Sequence, residues 1–242
     1  MTKLFFAADF SDKLAGLKII NQVAPYVDCI KIGLEAMTAL DNKGVPIAYA
    51  FLEAARENGK AVMWDIKLHD IGNTMMKVAE NLCAQKMEYF TLHASASWEA
   101  LEAVSKTCEG TGTLPLAVTV LTDISDGYCR DMYGHLRNDT VKFMSHRSGK
   151  QGIRGFVCSP LEITVVRDTG RTKKSFIVTP GVRPNWAVAN DQKNIATPAW
   201  AKVEGADAIV VGRPISNPPA SMTPKDACLR IREELDSVSQ SA

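Results

Sequence analysis

Short apolar runs recur along the chain at residues 4–8, 29–32, 61–66, 89–92, 116–120, 155–158, 176–178 and 208–211. They are rich in β-branched residues and do not alternate with polar ones, the pattern of strands buried on both faces. The stretches between them read as amphipathic helices. Residues 11–24 place Leu14, Leu17 and Ile20 at helical spacing, with Ser11 as the expected cap. Residues 46–58 open with a proline and stop before Gly59. Residues 73–85, 97–108, 140–149, 160–168, 197–204 and 223–238 fit the same reading, the last with Thr223 as cap and Pro224 in the first turn. Strand–helix alternation repeated eight times without a linker predicts one α/β domain over residues 1–242, a single (β/α)8 TIM barrel. A doubly wound open sheet is the alternative, but it needs fewer strands, and no GxGxxG follows the first run. Residues 122–138 lack a clear period and read as a long surface loop, with a functional lid as the other reading. Residues 183–194 are also irregular, and their place after the seventh run favours a functional loop.

Composition narrows the classes. The 242 residues fit one barrel domain. Lys plus Arg is 28 and Asp plus Glu is 27, so charge gives no pointer to nucleic acid or to a membrane surface. A mild basic cluster at 137–154 reads as a solvated loop or helix face. No apolar run approaches the ~20 residues of a membrane span, and the opening residues read as a strand, not a secretory signal. The six cysteines show neither CxxC nor zinc spacing. Cys29 and Cys158 lie in apolar runs as small buried hydrophobes, so a reducing cytoplasm is expected, with neither a metal nor a cysteine nucleophile.

In a barrel, chemistry gathers at the carboxyl ends of the strands. Those positions carry Asp9, Lys31, Asp65 with Lys67 and then Asp70, His93, Thr122, Ser159, the stretch from Thr179 to Arg183, and Gly212-Arg213-Pro214. Asp65 and Lys67 are two apart and so project to one face of a strand. Each residue alone has a structural explanation. His93 could be a hydrogen-bonded strand-end histidine, Asp9 a cap, and Gly181 and Gly212 turn residues. Together, Asp9, Lys31, Asp65, Lys67 and Asp70 are expected to form an alternating charge chain at one mouth of the barrel. Crowded charges cost free energy unless paired, and a fold has little need of such a cluster. The loops after the last two strands commonly bind phosphate, and Gly212, Arg213 and Arg183 suit that task.

The segment Asp65-Ile66-Lys67-Leu68-His69-Asp70 with Ile71-Gly72-Asn73-Thr74 resembles the orotidine 5′-phosphate decarboxylase family, which usually has proline where Gly72 stands. The likeness continues through Asp9, Lys31-Ile32-Gly33, Thr91-Leu92-His93-Ala94, residues 117–122, residues 179–184, Asp191-Gln192 and Val211-Gly212-Arg213-Pro214. DxKxxD alone is shared with phosphosugar decarboxylases and synthases on similar barrels. The segment 179–184, Gln192 and Arg213 narrow it. The resemblance implies a cofactor-independent lyase that converts orotidine 5′-monophosphate to UMP and CO2, the last step of UMP biosynthesis. Lys67 would protonate C6, with Asp65, Asp70 and Lys31 completing the catalytic set. Asp9 and Lys31 would contact the ribose, Thr122 would lie near the pyrimidine, and Gln192 would bridge base and phosphate. Arg183, Gly212 and Arg213 would hold the phosphate, and Ile71 joins the substrate-binding set. It also implies a homodimer in which Asp70 and Thr74 reach the partner's site, and a closing lid at 183–192. A metal-dependent phosphosugar enzyme and a non-catalytic nucleotide-binding barrel are the competing readings.

Overall fold

The computed structural model describes residues 1–168, 172–187 and 196–239. Eight parallel strands close into a barrel in chain order, with β8 pairing back onto β1. They are β1 (Lys3–Ala7), β2 (Cys29–Gly33), β3 (Ala61–Leu68), β4 (Tyr89–His93), β5 (Leu114–Val118), β6 (Gly155–Val157), β7 (Phe176–Thr179) and β8 (Ala208–Val211). The helices among the described residues are α1 (Lys13–Val23), α2 (Leu34–Thr38), α3 (Ala48–Glu57), α4 (Gly72–Ala84), α5 (Trp98–Cys108), α6 (Asp126–Tyr133), α7 (Arg137–Lys150), α8 (Ile163–Arg167), α9 (Pro198–Val203), α10 (Arg213–Ser216) and α11 (Pro224–Asp236). None of the described helices is long and apolar enough to cross a membrane.

The continuous apolar runs have two destinations because side chains of a strand alternate. Along β1 and the residue after it, Leu4, Phe6 and Ala8 face the helices, while Phe5 and Ala7 face the barrel interior. The interior is filled by Phe5, Cys29, Met63, Tyr89, Leu116, Val118, Val157, Val178 and Val210. Tyr89 and Phe176 stack at 5.6 Å, sealing the amino-terminal end. The opposite end is left for polar groups.

Local departures have visible causes. Asp12, not Ser11, caps α1, accepting from Ala15 N at 2.8 Å. The fifth strand sits two residues earlier than expected, because Leu114 and Pro115 pair with Tyr89 and Phe90. Residues 160–168 form a 3-10 turn followed by a five-residue helix. Residues 122–138 are not simply a loop, since Ser125 caps α6, which ends at Gly134 in the left-handed region (φ 75°). The basic cluster is only partly a solvated face, since Arg137 is buried at its start. Gly72 occupies the first turn of α4, and Ile71 before it is extended (ψ 152°), the conformation that precedes proline. Glycine therefore keeps the turn geometry that a proline there would impose.

Candidate active site

The carboxyl ends of the strands open on a cavity of about 330 Å³. Ala7, Met63, Val118, Val157 and Val210 make its apolar floor, and charged groups make its walls. From β1 and β2 come Asp9 and Lys31, whose Nζ is 2.8 Å from Asp9 Oδ1 and 3.3 Å from Asp65 Oδ2. Lys67 Nζ donates to the same Asp65 oxygen at 2.9 Å. The order is carboxylate, ammonium, carboxylate, ammonium, so every neighbour is of opposite sign. Gly33 makes room for it: a Cβ there would stand 3.1 Å from Asp9 Oδ1 and 3.2 Å from Lys31 Nζ.

Electrostatics keep the inner members ionised. Burial alone would raise the Asp65 carboxyl, but Lys31 and Lys67 outweigh it and hold it below the usual carboxylate range. Burial alone would depress Lys31, and Asp65 and Asp9 instead lift it above an ordinary lysine. The chain is wet at its ends and dry in the middle. Lys67 and Asp9 side chains are 33% and 47% exposed, against 10% for Lys31 and 11% for Asp65. The outer groups are the ones a ligand can reach.

Lys67 gets to its position by an exceptional backbone. Its φ is 48°, and the pairing of β3 with β4 shifts register between Trp64 and Leu68. Simple alternation does not bring Lys67 to Asp65; a left-handed residue does, at a cost of about 1–3 kcal/mol for a non-glycine side chain. Thr91 fixes this bend. Its hydroxyl donates to Asp65 Oδ1 at 2.8 Å and accepts from Lys67 N at 2.9 Å. Sequence reasoning gave Thr91 no role. The available signal was a hydroxyl inside the apolar run that ends at His93.

Across the cavity stand Pro180, Gly181, Val182 and Arg183 after β7, and Gly212 and Arg213 at the start of α10 after β8. Val182 bridges to Ala196, and Arg183 N donates to Ala196 O at 2.8 Å. Arg183 is buried and Arg213 exposed, both on the cavity wall. Thr122 lines a third side, four residues past the end of β5.

The structure therefore brings together Asp9, Lys31, Asp65, Lys67, Thr122, Arg183, Gly212 and Arg213. It does not bring Asp70, Ile71 or Thr74 into this chain's own cavity. Asp70 is exposed, with Oδ1 accepting from Ile71 N at 2.7 Å, so the five-member charge chain has four members here. Ser159 serves as the cap of a 3-10 turn. His93 lies beside His69, rings 5.6 Å apart, outside the cavity lining. Burial, then His69 and Lys67, lower its pKa. Gln192 and the lid residues 188–192 fall outside the described residues.

A closed (β/α)8 barrel with a lysine–carboxylate array facing arginines on the seventh and eighth loops defines a class: barrel enzymes that act on phosphorylated substrates. Comparison with known proteins specifies it. Residues 2–223 match the model of the Orotidine 5'-phosphate decarboxylase / HUMPS family. An orotidine 5'-phosphate decarboxylase of Heliobacterium modesticaldum is 35% identical over 243 residues, covering 96% of this chain and 95% of that protein. That of a Jannaschia species is 35% identical over 218 residues, covering 88% and 90%. The crystal structure of orotidine 5'-phosphate decarboxylase from Lactobacillus acidophilus superposes with a TM-score of 0.79 at 27% identity, covering 98% of this chain and all of that one (100%). The chain belongs to the Orotidine 5'-phosphate decarboxylase / HUMPS family.

Proposed function

We propose that the protein decarboxylates orotidine 5′-monophosphate to UMP and CO2 without a cofactor, and that Lys67 supplies the proton. The observation that carries this reading is the Lys67 ammonium, 2.9 Å from Asp65 and one-third exposed, on a cavity whose other wall holds Arg183 and Arg213. Breaking the C6–carboxylate bond releases CO2 and leaves its electron pair on C6, where the ring delocalises it poorly. A fixed ammonium beside C6 stabilises the developing negative charge and then delivers its proton there. Charge already in place costs no reorganisation during the reaction, which makes this type of stabilisation effective.

Asp65, itself paired with Lys31, holds Lys67 in place, and Asp9 with Lys31 meets the ribose hydroxyls. Thr122 lies on the pyrimidine side. Arg183, Arg213 and the Gly212 backbone take the phosphate, with Gln192 bridging phosphate and base. Phosphate contacts far from the reacting carbon supply binding energy that offsets the cost of assembling the site. The working unit in this reading is a homodimer, with Asp70 and Thr74 of the partner subunit completing each cavity beside Ile71. Its support is that Asp70 is exposed and Ile71, a large apolar residue, is 72% exposed. A cytoplasmic location fits this chemistry.

The test is spectrophotometric. Adding the protein to orotidine 5′-monophosphate should remove the orotate absorbance and yield stoichiometric UMP, with no change on adding a chelator. Persistence of that absorbance sinks the reading, and chelator-sensitive turnover of a phosphosugar moves the assignment to the metal-using relatives.

A further inference from the structure

Among the described residues, a buried charged pair lies outside the array. Arg137, at the start of α7, pairs through Nε with Glu162 Oε1. Its Nη1 donates to Leu121 O at 2.9 Å and Ile124 O at 2.6 Å, and its Nη2 to Val120 O at 3.2 Å. Glu162 Oε2 accepts from Ser159 N at 3.0 Å. β5 ends at Val118, so the carbonyls of Val120, Leu121 and Ile124 lie beyond the sheet ladder and require donors when buried. A planar guanidinium can serve a carboxylate and several carbonyls at once, which an ammonium cannot do in the same geometry. The other face of this loop, at Val120, Leu121 and Thr122, is cavity wall, as is Cys158 next to Ser159.

We infer that Arg137 and Glu162 are positioning residues for the nucleobase end of the site, setting the loop that carries Leu121 and Thr122 against the end of β6. This rests on the nucleotide reading above. The pair touches no ligand; it acts through the loop. Misplacing a wall of the site by about 1 Å can cost ~10²-fold in rate. The phosphate wall belongs to other loops and should not feel the change.

Removing Arg137 alone leaves Glu162 buried without its partner and threatens folding. The informative variant is therefore Arg137→Met with Glu162→Gln, which deletes both charges and keeps an acceptor for Ser159 N. Arg137→Lys is its companion, retaining charge but not the fork. Turnover of orotidine 5′-monophosphate is measured beside binding of UMP and of ribose 5-phosphate. The expected result for the folded double variant is kcat/KM down ~10²-fold, UMP binding about 10-fold weaker, and ribose 5-phosphate binding within about twofold of wild type. Arg137→Lys should shift the same quantities in the same direction.

Unchanged turnover and UMP binding in a folded variant overturns the inference, as does equal weakening of UMP and ribose 5-phosphate. If neither variant folds, the pair is a stability element and the inference also fails. An inert wild type removes the functional reading and this inference with it, whereas an active wild type with an unaffected variant removes the inference alone.

Discussion

The two charge clusters of this barrel are built from similar groups and differ in what saturates them. Around Arg137 and Glu162, backbone groups supply the other partners: three carbonyls accept from the guanidinium, one amide donates to the carboxylate, and the Glu162 side chain is 2% exposed. In the array from Asp9 to Lys67, charges are satisfied mainly by one another, and both ends stay open to the cavity. Burial pushes both carboxyls up, with opposite outcomes. It wins at Glu162, raising its carboxyl above the usual range despite Arg137, and loses at Asp65 to two ammoniums. A pair bound to backbone groups fixes those groups, whereas an alternating, half-open array keeps charge available to a substrate. Burial of charge alone does not tell them apart; the remaining partners do.

The largest expected effect comes from the open end of the array. Lys67→Ala should lower kcat by about 10³-fold or more while UMP binding stays substantial, because both proton and electrostatic stabilisation are lost. Near-normal steady-state turnover would erase the functional side of the comparison. Thr91→Val tests the joint that holds the array. It removes the donor to Asp65 Oδ1 and the acceptor for Lys67 N. It should cost about 1–3 kcal/mol in urea unfolding and about 10-fold in kcat. A stable variant with full activity would mean that Lys67 needs no such anchor.

The smallest effect is the pH dependence of unfolding, where the buried carboxyls of the two clusters, Asp65 and Glu162, should carry opposite slopes. Asp65 has a depressed folded-state pKa, so its contribution is present above the unfolded value of about 3.9 and is lost as pH falls through the folded one. Lys31 is raised, so its contribution holds below about 10.4 and is lost as pH climbs through the folded value. Glu162 is a raised acid, so stability falls as pH rises from about 4.3 through its folded value, by at most ~1.4 kcal/mol per unit. Glu162→Gln should accordingly flatten that decline above about pH 4.3, read by urea midpoints across the range. A steeper decline in this variant would contradict the burial argument.

Much of the site was legible because a barrel collects strand ends. Asp9, Lys31, Asp65, Lys67, Arg183, Gly212 and Arg213 follow apolar runs, and closure in chain order brings them to one mouth. What escaped reading depends on partners far along the chain. Thr91 meets Asp65 across 26 positions and Arg137 meets Glu162 across 25, and no local period reports either pairing. Arg137 sits in a basic stretch that composition assigns to solvent, and only packing shows that it is buried. α6 was hidden because its few buried positions give little helical period, with Cys129 alone buried.

By itself, the sequence determined eight strands, their order and the polar residues at their ends, since the spacing of apolar and polar side chains is a local property that both strand and helix enforce. Tertiary structure alone decided how those residues meet: the left-handed backbone at Lys67, the hydroxyl of Thr91 beneath it, and the guanidinium of Arg137 beneath the neighbouring loop. Hydrogen bonds and ion pairs act over about 3 Å, so only the closed barrel, which brings distant positions that near, could set them.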